Sequence, residues 1–121
     1  MNAQIEQALT QDRVIDITTT GRKTGQPRRI EIWFHNLAGR LFITGLPGQR
    51  DWYANLVAHP AFTFHLKGTV QADLPAQAIP ITEESQRRTI MAAIIRTLSG
   101  EQDLEAWVAH SPLVEVQFTE S

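Results

Sequence analysis

Six short hydrophobic segments, most of them separated by tight turns, constrain the fold of this chain most strongly. Each segment alternates apolar and polar residues or is rich in β-branched ones, which is typical of strands. They cover residues 14–20, 29–35, 40–44, 62–67, 69–80 and 113–118. Because strands joined by short turns pair antiparallel, the sequence predicts a mostly antiparallel sheet of about six strands. Closing such a sheet into a small barrel hides its edges.

Proline interrupts one of these segments. Pro75 and Pro80 both lie within residues 69–80, and proline has no N–H to donate to a neighbouring strand. We therefore expect this strand to be broken.

Two short helices are predicted in the first half of the chain. Residues 3–9 carry apolar side chains at helical spacing, so a short helix should end near Gln11. Residues 51–58 begin with Asp51, which is the expected helix cap, and Pro60 prevents the helix from continuing.

The strongest helical pattern lies in the second half. Thr82 is the expected N-cap, apolar residues recur at helical spacing as far as Leu98, and Gly100 ends the helix. Residues 104–109 add one helical turn. The prediction is an α+β fold, a small antiparallel barrel with two or three flanking helices.

Length and composition narrow the class of protein. A chain of 121 residues suits one domain, 1–121, and 42% hydrophobic with 20% charged residues is typical of a soluble globular protein. No apolar run approaches the roughly 18 residues that span a bilayer. The N-terminal residues lack a basic leader and an apolar region. We expect a cytoplasmic protein that binds no membrane.

Residue usage argues against several kinds of active site. The chain has no cysteine, which excludes disulfides, thiolate metal sites and cysteine nucleophiles. Its four histidines are scattered without a close pair, so no metal site is expected. No Gly-x-Ser-x-Gly elbow surrounds a serine, so serine hydrolysis has no support.

Residues 21–29 form the most distinctive segment of the chain. They carry four cations and no acid, a local charge of +4 in a chain whose net charge is −2. Two glycines permit close backbone approach, a hydroxyl can donate, and guanidinium and ammonium groups form charge-assisted hydrogen bonds. This combination favours a site for a phosphate or a carboxylate. By composition alone, a solvated hairpin tip explains the segment equally well.

Nucleic-acid binding through the same segment is a weaker alternative. Such binding normally needs a wide basic surface, whereas this chain is acidic as a whole. A compact patch suits one small anion better.

Two sequence blocks carry a family resemblance. The first is Thr18-Thr-Thr-Gly-Arg-Lys-Thr-Gly25 with the following Arg28-Arg29, and the second is Trp52-Tyr-Ala-Asn-Leu56 with His59-Pro60. In order and separation they resemble the deazaflavin (F420)-dependent nitroreductase and quinone reductase family. That family shares a split β-barrel with flavin-nucleotide-binding proteins. The resemblance covers residues 14–68.

The resemblance implies a cofactor, F420 or FMN, that performs hydride chemistry. It implies that the hairpin segment holds the phosphate and that the backbone of loop 45–50 faces the ring. Trp52 lies beside the site, although core packing is its first role. No catalytic side chain is assigned. The implied cofactor-binding residues are Arg22, Lys23, Thr24, Gly25, Arg28, Arg29, Gly45, Leu46, Pro47, Gly48 and Trp52.

The chain departs from the family pattern in two places. Loop 45–50 reads Gly-Leu-Pro-Gly-Gln-Arg, whereas many members carry a paired glycine there. The chain also lacks the tyrosine-bearing C-terminal segment that lines the substrate pocket in some members. The resemblance itself implies an oxidoreductase that acts on a small organic acceptor such as a quinone or a nitro compound, whereas the altered loop 45–50 motivates an alternative. The alternative is a non-catalytic carrier or sensor that binds a flavin, haem or another anion on the same barrel.

One strand face is expected to contact a partner. In residues 29–35 the period of two places Ile30, Ile32 and Phe34 toward the core and Trp33 and His35 on the opposite face. That second face meets solvent, the cofactor or another subunit. Because related split barrels are often dimers, the resemblance favours a homodimer contact.

Overall fold

A computed structural model describes residues 1–119 of the chain. These residues form six strands and four helices, whereas the sequence predicted two or three helices. In chain order they are α1 (Ala3–Gln11), β1 (Val14–Thr20), β2 (Pro27–Leu37), β3 (Arg40–Thr44), α2 (Asp51–Ala58), β4 (Ala61–Lys67), β5 (Gln71–Pro80), α3 (Glu84–Ile95), α4 (Leu104–His110) and β6 (Leu113–Phe118). None of the described helices is long and apolar enough to cross a membrane.

The six strands close into an antiparallel barrel in the order β1-β2-β3-β6-β5-β4. Strand β1 pairs with β2 on one side and with β4 on the other, and this second pairing closes the barrel. Closure leaves no open sheet edge, which agrees with the barrel predicted from sequence. The α+β barrel is thus confirmed.

The main core fills the barrel interior. Inward-facing residues of β1 and β4 such as Ile15, Ile17 and Phe64 are fully buried there. One face of helix α2 packs against this core through Trp52 and Leu56. This packing fixes α2 against the end of the barrel where the β1–β2 hairpin tip lies.

A second core lies outside the barrel. Phe42 on β3 and Leu113 on β6 pack against Met91 and Ile94 of α3 and Trp107 of α4. This cluster holds α3 and α4 against the outer face of β3 and β6. It thereby positions the C-terminal end of α4 close to loop 45–50, where Gly48 N–H donates to the carbonyl of His110.

Strand β5 is continuous, so the predicted break at Pro75 and Pro80 was wrong. Pro75 pairs with Thr63 in register, and its carbonyl accepts from Thr119 N–H at 3.1 Å. In a strand the N and O of one residue point to the same side. The missing N–H of Pro75 therefore falls at the end of the β5–β6 ladder, one residue beyond Phe118, so no bond inside the ladder is lost.

Two predicted helix caps were wrong by one residue. Arg50, not Asp51, occupies the N-cap of α2, and no side chain caps that helix. Glu83, not Thr82, caps α3, because its carboxylate reaches two backbone N–H groups, those of Ser85 and Gln86, at 2.9 and 3.0 Å. The Ser85 hydroxyl, which donates to the same carboxylate at 2.7 Å, and these two backbone N–H groups hold the pKa of Glu83 below its usual range.

Helix α3 also ends earlier than predicted. It stops at Ile95, and residues 97 and 98 continue in tight turns through hydrogen bonds to the carbonyls of Ile94 and Ile95. Gly100 follows with φ of 81°, so it serves the turn after the helix rather than the helix end.

The two faces of β2 differ from the prediction. Trp33 is 51% exposed on the outer face, as expected, but His35 on the same face is only 7% exposed. His35 is paired in register with Phe42, which lies in the second core. The chain itself covers this end of β2, so His35 meets neither solvent nor a partner.

Candidate functional site

The β1–β2 hairpin tip is held in one conformation by its own backbone. Gly21 N–H donates to the carbonyl of Gln26, and Gly25 N–H donates to that of Gly21, both at 2.8 Å. A Cβ at Gly21 would lie 2.8 Å from Thr24 Oγ1, so the turn closes only around glycine. Gly25 has φ of 71°, which also favours glycine. The backbone of the tip is therefore held in one conformation.

Arg22 is clamped to helix α2. Its backbone N–H and its Nη1 each donate to Asn55 Oδ1 at 3.0 Å, and its Nη2 lies 3.4 Å from Asp51 Oδ1. Asn55 is buried, and its Nδ2 donates to the buried Thr19 Oγ1 at 3.3 Å. The Asn55 side chain therefore joins the hairpin tip, helix α2 and strand β1.

A cleft of about 450 Å³ lies between the hairpin tip and α2, and we refer to it as the hairpin cleft. Its wall on the α2 side includes the edge of Trp52, a residue that is 92% buried in the barrel core. The lining residues are Thr19, Gly21, Arg22, Lys23, Thr24, Arg28, Ile30, Asp51, Trp52 and Asn55.

The polar groups of the hairpin cleft suit an anion. Thr24 Oγ1 accepts from Gln26 N–H at 3.2 Å and from Arg28 Nη2 at 3.4 Å. Because both contacts use the oxygen as acceptor, its own hydroxyl hydrogen remains available to donate. Lys23 has no hydrogen-bond or ion-pair partner within residues 1–119.

Loop 45–50 is held by Arg50. The Arg50 guanidinium donates to the carbonyls of Gln49 and Leu46 at 2.9 and 3.0 Å. Gly48 has φ of 133°, and its N–H already donates to the carbonyl of His110 at 3.0 Å. This amide is therefore not free for a ring acceptor.

A second cleft, of about 630 Å³, lies between loop 45–50 and the end of α4, and we refer to it as the loop cleft. Arg22 and Asp51 line both clefts, so the two adjoin at this ion pair. The lining residues are Arg22, Gly48, Gln49, Arg50, Asp51, Tyr53, Ala54, Thr82, Arg87, Ala109, His110, Ser111 and Pro112.

Arg87 forms part of the loop cleft and joins three elements. Its guanidinium donates to the carbonyls of Val108 and Trp107 near the end of α4, to that of Ser111, and to that of Ile81 after β5. The negative end of the α4 dipole favours a cation at this place. Burial lowers the pKa of Arg87, although a guanidinium stays charged in proteins.

The cations without a carboxylate partner concentrate at the two clefts. Five of the eleven Lys and Arg residues lie within 4.0 Å of an acidic group, namely Arg22, Arg29, Arg40, Lys67 and Arg88. Of the other six, within residues 1–119, Lys23 and Arg28 line the hairpin cleft and Arg50 and Arg87 line the loop cleft. Uncompensated positive charge at a concave surface attracts anions.

The structure separates the predicted site residues into groups. Arg22, Lys23, Thr24, Arg28 and Trp52 converge on the hairpin cleft, and Gly48 lines the loop cleft. Gly25 lies at the exposed turn. Gly45, Leu46 and Pro47 belong to the loop but line neither cleft, and Leu46 is 61% exposed.

Arg29 lies apart from the other predicted residues. Its Nε is 3.0 Å from Asp16 Oδ2 on β1, and it lines a different surface cavity together with Lys67 and Asp73. The alternation of side chains along β2 explains this position, because Arg28 and Arg29 point to opposite faces.

Sequence reasoning missed Thr19, Arg50 and Arg87 as site residues. Thr19 appeared as one of three consecutive threonines, and only the inward side of β1 distinguishes it. Arg50 was noted only as the end of a loop. Arg87 lies on α3, about 60 residues after the hairpin, and no local pattern connects it to the site.

Comparison with known proteins identifies the family of this chain. The family model for F420H(2)-dependent quinone reductase matches residues 1–117. A solved conserved hypothetical protein from Mycobacterium tuberculosis is similar with a TM-score of 0.77 and 15% identity, covering 99% of this chain and 81% of its own. An F420 reductase is similar with a TM-score of 0.71 and 18% identity, covering 95% and 93%.

A third similar structure is a FAD-binding protein from Mesorhizobium loti, with a TM-score of 0.66, 13% identity and coverage of 99% and 91%. At these identities the structures show a shared fold. The family match, by contrast, extends over nearly the whole chain, and it includes the hairpin segment and loop 45–50 described above. The chain belongs to the F420H(2)-dependent quinone reductase family and is an oxidoreductase of that family.

Proposed function

We propose that this protein binds F420 with its phosphate in the hairpin cleft and transfers a hydride to a small organic acceptor such as a quinone or a nitro compound. One observation carries the proposal. The hairpin cleft holds Lys23 and Arg28, neither with a carboxylate partner within residues 1–119, beside a Thr24 hydroxyl with a free hydrogen. Cations and hydroxyl donors on a rigid turn suit a phosphate group.

The position of the loop cleft supports the same proposal. It adjoins the hairpin cleft at Arg22 and Asp51, so a cofactor held by its phosphate in the hairpin cleft can bring its ring to the border of the loop cleft. Loop 45–50 then lies beside the ring. When bound, F420 supplies the hydride, and the protein supplies binding, orientation and exclusion of water.

FMN is the alternative cofactor, because it also carries a phosphate. We propose that residues 1–121 form one cofactor-binding domain and that the protein is located in the cytoplasm. We also propose a homodimer, for which the exposed Trp33 on the outer face of β2 is the candidate contact.

The test is a fluorescence titration of the purified protein with F420, FMN and FAD in parallel. We expect F420 to bind, and Lys23→Glu to weaken binding by about tenfold or more, because it replaces an attraction with a repulsion. Arg96→Glu is the matched control, since Arg96 also lacks a carboxylate partner in the described part of the chain but lines neither cleft.

A turnover assay distinguishes the proposed oxidoreductase from a non-catalytic carrier. When reduced F420 and a quinone are supplied together, the protein should catalyse oxidation of the F420 and reduction of the quinone. Binding of a cofactor without any reduction of quinones or nitro compounds would favour the non-catalytic carrier. Binding of none of the three by a folded protein would refute the proposed function.

A further inference from the structure

The loop cleft carries more positive charge than its own residues neutralise. Three guanidinium groups line it, those of Arg22, Arg50 and Arg87, and the only lining carboxylate is that of Asp51. Three positive charges and one negative charge leave a net charge of +2. Asp51 is itself paired with Arg22, and its side chain is 92% exposed.

Arg50 has unused hydrogen-bonding capacity. A guanidinium has five N–H donors, and Arg50 uses one from Nη1 and one from Nη2 on the carbonyls of Gln49 and Leu46. Three donors therefore remain. The two carbonyl contacts fix the position of the group without neutralising its charge, so it is preorganised for an anion.

Arg87 contributes charge rather than donors. Four of its five N–H groups are used by backbone carbonyls, and no carboxylate lies beside it within residues 1–119. Because it is half-buried, its field is screened by water less than that of an exposed arginine. It raises the positive potential on the wall of the cleft that the end of α4 forms.

The phosphate of the cofactor does not account for this charge. In the proposed function the phosphate lies in the hairpin cleft against Lys23 and Arg28, and neither of these lines the loop cleft. The loop cleft also presents the ring of Tyr53 and Pro112, which suit the body of an organic molecule. Its volume of about 630 Å³ is sufficient for a small ligand.

We propose that the loop cleft binds the hydride acceptor through an anionic group on that acceptor, with Arg50 as its direct partner and Arg87 as a second source of positive charge. This inference rests on the proposed function for the identity of the ligand as an acceptor. It names a substrate class, planar organic acceptors that carry a carboxylate.

The experiment compares two acceptors that differ only in charge. They are a methylnaphthoquinone with a propionate side chain and its primary amide. Calorimetry measures the binding of each to the protein alone and to the protein saturated with oxidised F420, so that no turnover occurs. We expect the carboxylate to bind about tenfold to a hundredfold tighter than the amide in both states, as a charge-assisted contact predicts.

Substitutions at Arg50 assign the preference to its charge. Arg50→Gln should bring the affinity ratio of carboxylate to amide close to one, whereas Arg50→Lys should retain a clear preference for the carboxylate. Arg96→Gln should keep the ratio of the unaltered protein. Circular dichroism confirms that each variant is folded, and Arg50→Lys keeps the test decisive if Arg50→Gln does not fold.

Four results would overturn the inference: equal affinities in the unaltered protein, a preference that survives Arg50→Gln, a preference that Arg50→Lys also abolishes, or one that disappears once F420 is bound. The last result would assign the cleft to the cofactor. Failure of F420 to bind would instead refute the proposed function, and the measurement on the protein alone would still test the anion preference.

Discussion

Asn55 Oδ1 accepts two hydrogen bonds from Arg22, one from the backbone N–H and one from Nη1, both at 3.0 Å. A single amide oxygen on α2 thus fixes both the main chain and the side chain of the hairpin residue that lines both clefts. Helix α2 is itself anchored in the barrel core, so these hydrogen bonds hold the hairpin tip in place against the core.

Replacing Asn55 by alanine should therefore reduce both stability and cofactor binding. It removes the acceptor of two bonds and the donor to Thr19 Oγ1, and we expect the free energy of unfolding to fall by about 2–3 kcal/mol. Urea unfolding measures this loss, and a fluorescence titration measures F420 affinity.

Asn36→Ala is the matched control for Asn55. The Asn36 side chain makes two hydrogen bonds, to the carbonyl of Leu9 and from Gly39 N–H, against three for Asn55, and it lies near the end of β2, away from both clefts. We expect a comparable loss of stability with cofactor affinity retained. Equal weakening of cofactor binding by both substitutions would contradict a local role of Asn55.

Gly21→Ala should disturb the hairpin tip. The new Cβ would lie 2.8 Å from Thr24 Oγ1 and 3.2 Å from the carbonyl of Gln26, so the turn must open. We expect a loss of about 1–3 kcal/mol of stability and weaker F420 binding, because Thr24 moves. Unfolding and titration experiments on the same variant measure both.

Gly25→Ala provides the contrast. No atom lies within 4 Å of its added Cβ, but its φ of 71° strains an L-residue at a cost of about 1 kcal/mol. The strain at this exposed turn should leave cofactor affinity closer to that of the unaltered protein. A larger effect on affinity from Gly25→Ala than from Gly21→Ala would show that the contact with Thr24 is unimportant.

Arg87→Met should destabilise the packing of α3 and α4 on the barrel. Methionine keeps an unbranched apolar stem but leaves four backbone carbonyls without their donor, and we expect a loss of about 2–4 kcal/mol. Arg87→Lys should rescue little, because one ammonium cannot reach four carbonyls in different directions. Full rescue by lysine in thermal unfolding would show that charge alone matters.

Stability should decrease in mildly acidic solution because of His35. Burial, together with the nearby charge of Arg13, lowers the pKa of His35 below its ordinary value of 6.5. The unfolded chain therefore takes up a proton at a pH where the folded protein does not. The contribution is complete above pH 6.5 and is lost as pH falls from there through the folded pKa.

Replacing His35 by glutamine should flatten this pH dependence. The free energy of unfolding, measured in urea between pH 7 and pH 5, should fall less steeply in His35→Gln than in the unaltered protein. His59→Gln is the control, because His59 is exposed. An unchanged slope in His35→Gln would argue against the buried imidazole as the cause.

Trp33→Glu should convert the proposed dimer to a monomer. Trp33 is 51% exposed on the outer face of β2, so a carboxylate there is tolerated by the barrel but not by a desolvated interface. Sedimentation velocity over a range of concentrations measures the change. A monomeric unaltered protein at all concentrations would rule out the proposed contact.

Much of the site was predictable because it is local in sequence. Lys23, Thr24 and Arg28 belong to one hairpin tip, and the glycines between them indicate the turn that brings their side chains together. The separation of Arg28 from Arg29 was implicit in the same strand pattern, because neighbouring residues alternate faces. Both Arg28 and Arg29 were nevertheless assigned to the phosphate site, although residues that alternate faces cannot both point into one cleft.

By itself the sequence determined the strands, their antiparallel pairing and the cationic hairpin, since alternation and turn residues act over a few neighbours. Only the tertiary structure decided which distant groups meet. Closure of the barrel placed the clamp of Asn55 on Arg22, and the docking of α3 and α4 placed Arg87 across from Arg50 in one cleft. The packing of the second core buried His35. Because β6 ends opposite Pro75, β5 remains continuous despite this proline. These outcomes depend on contacts between residues far apart in the chain, which no local pattern encodes.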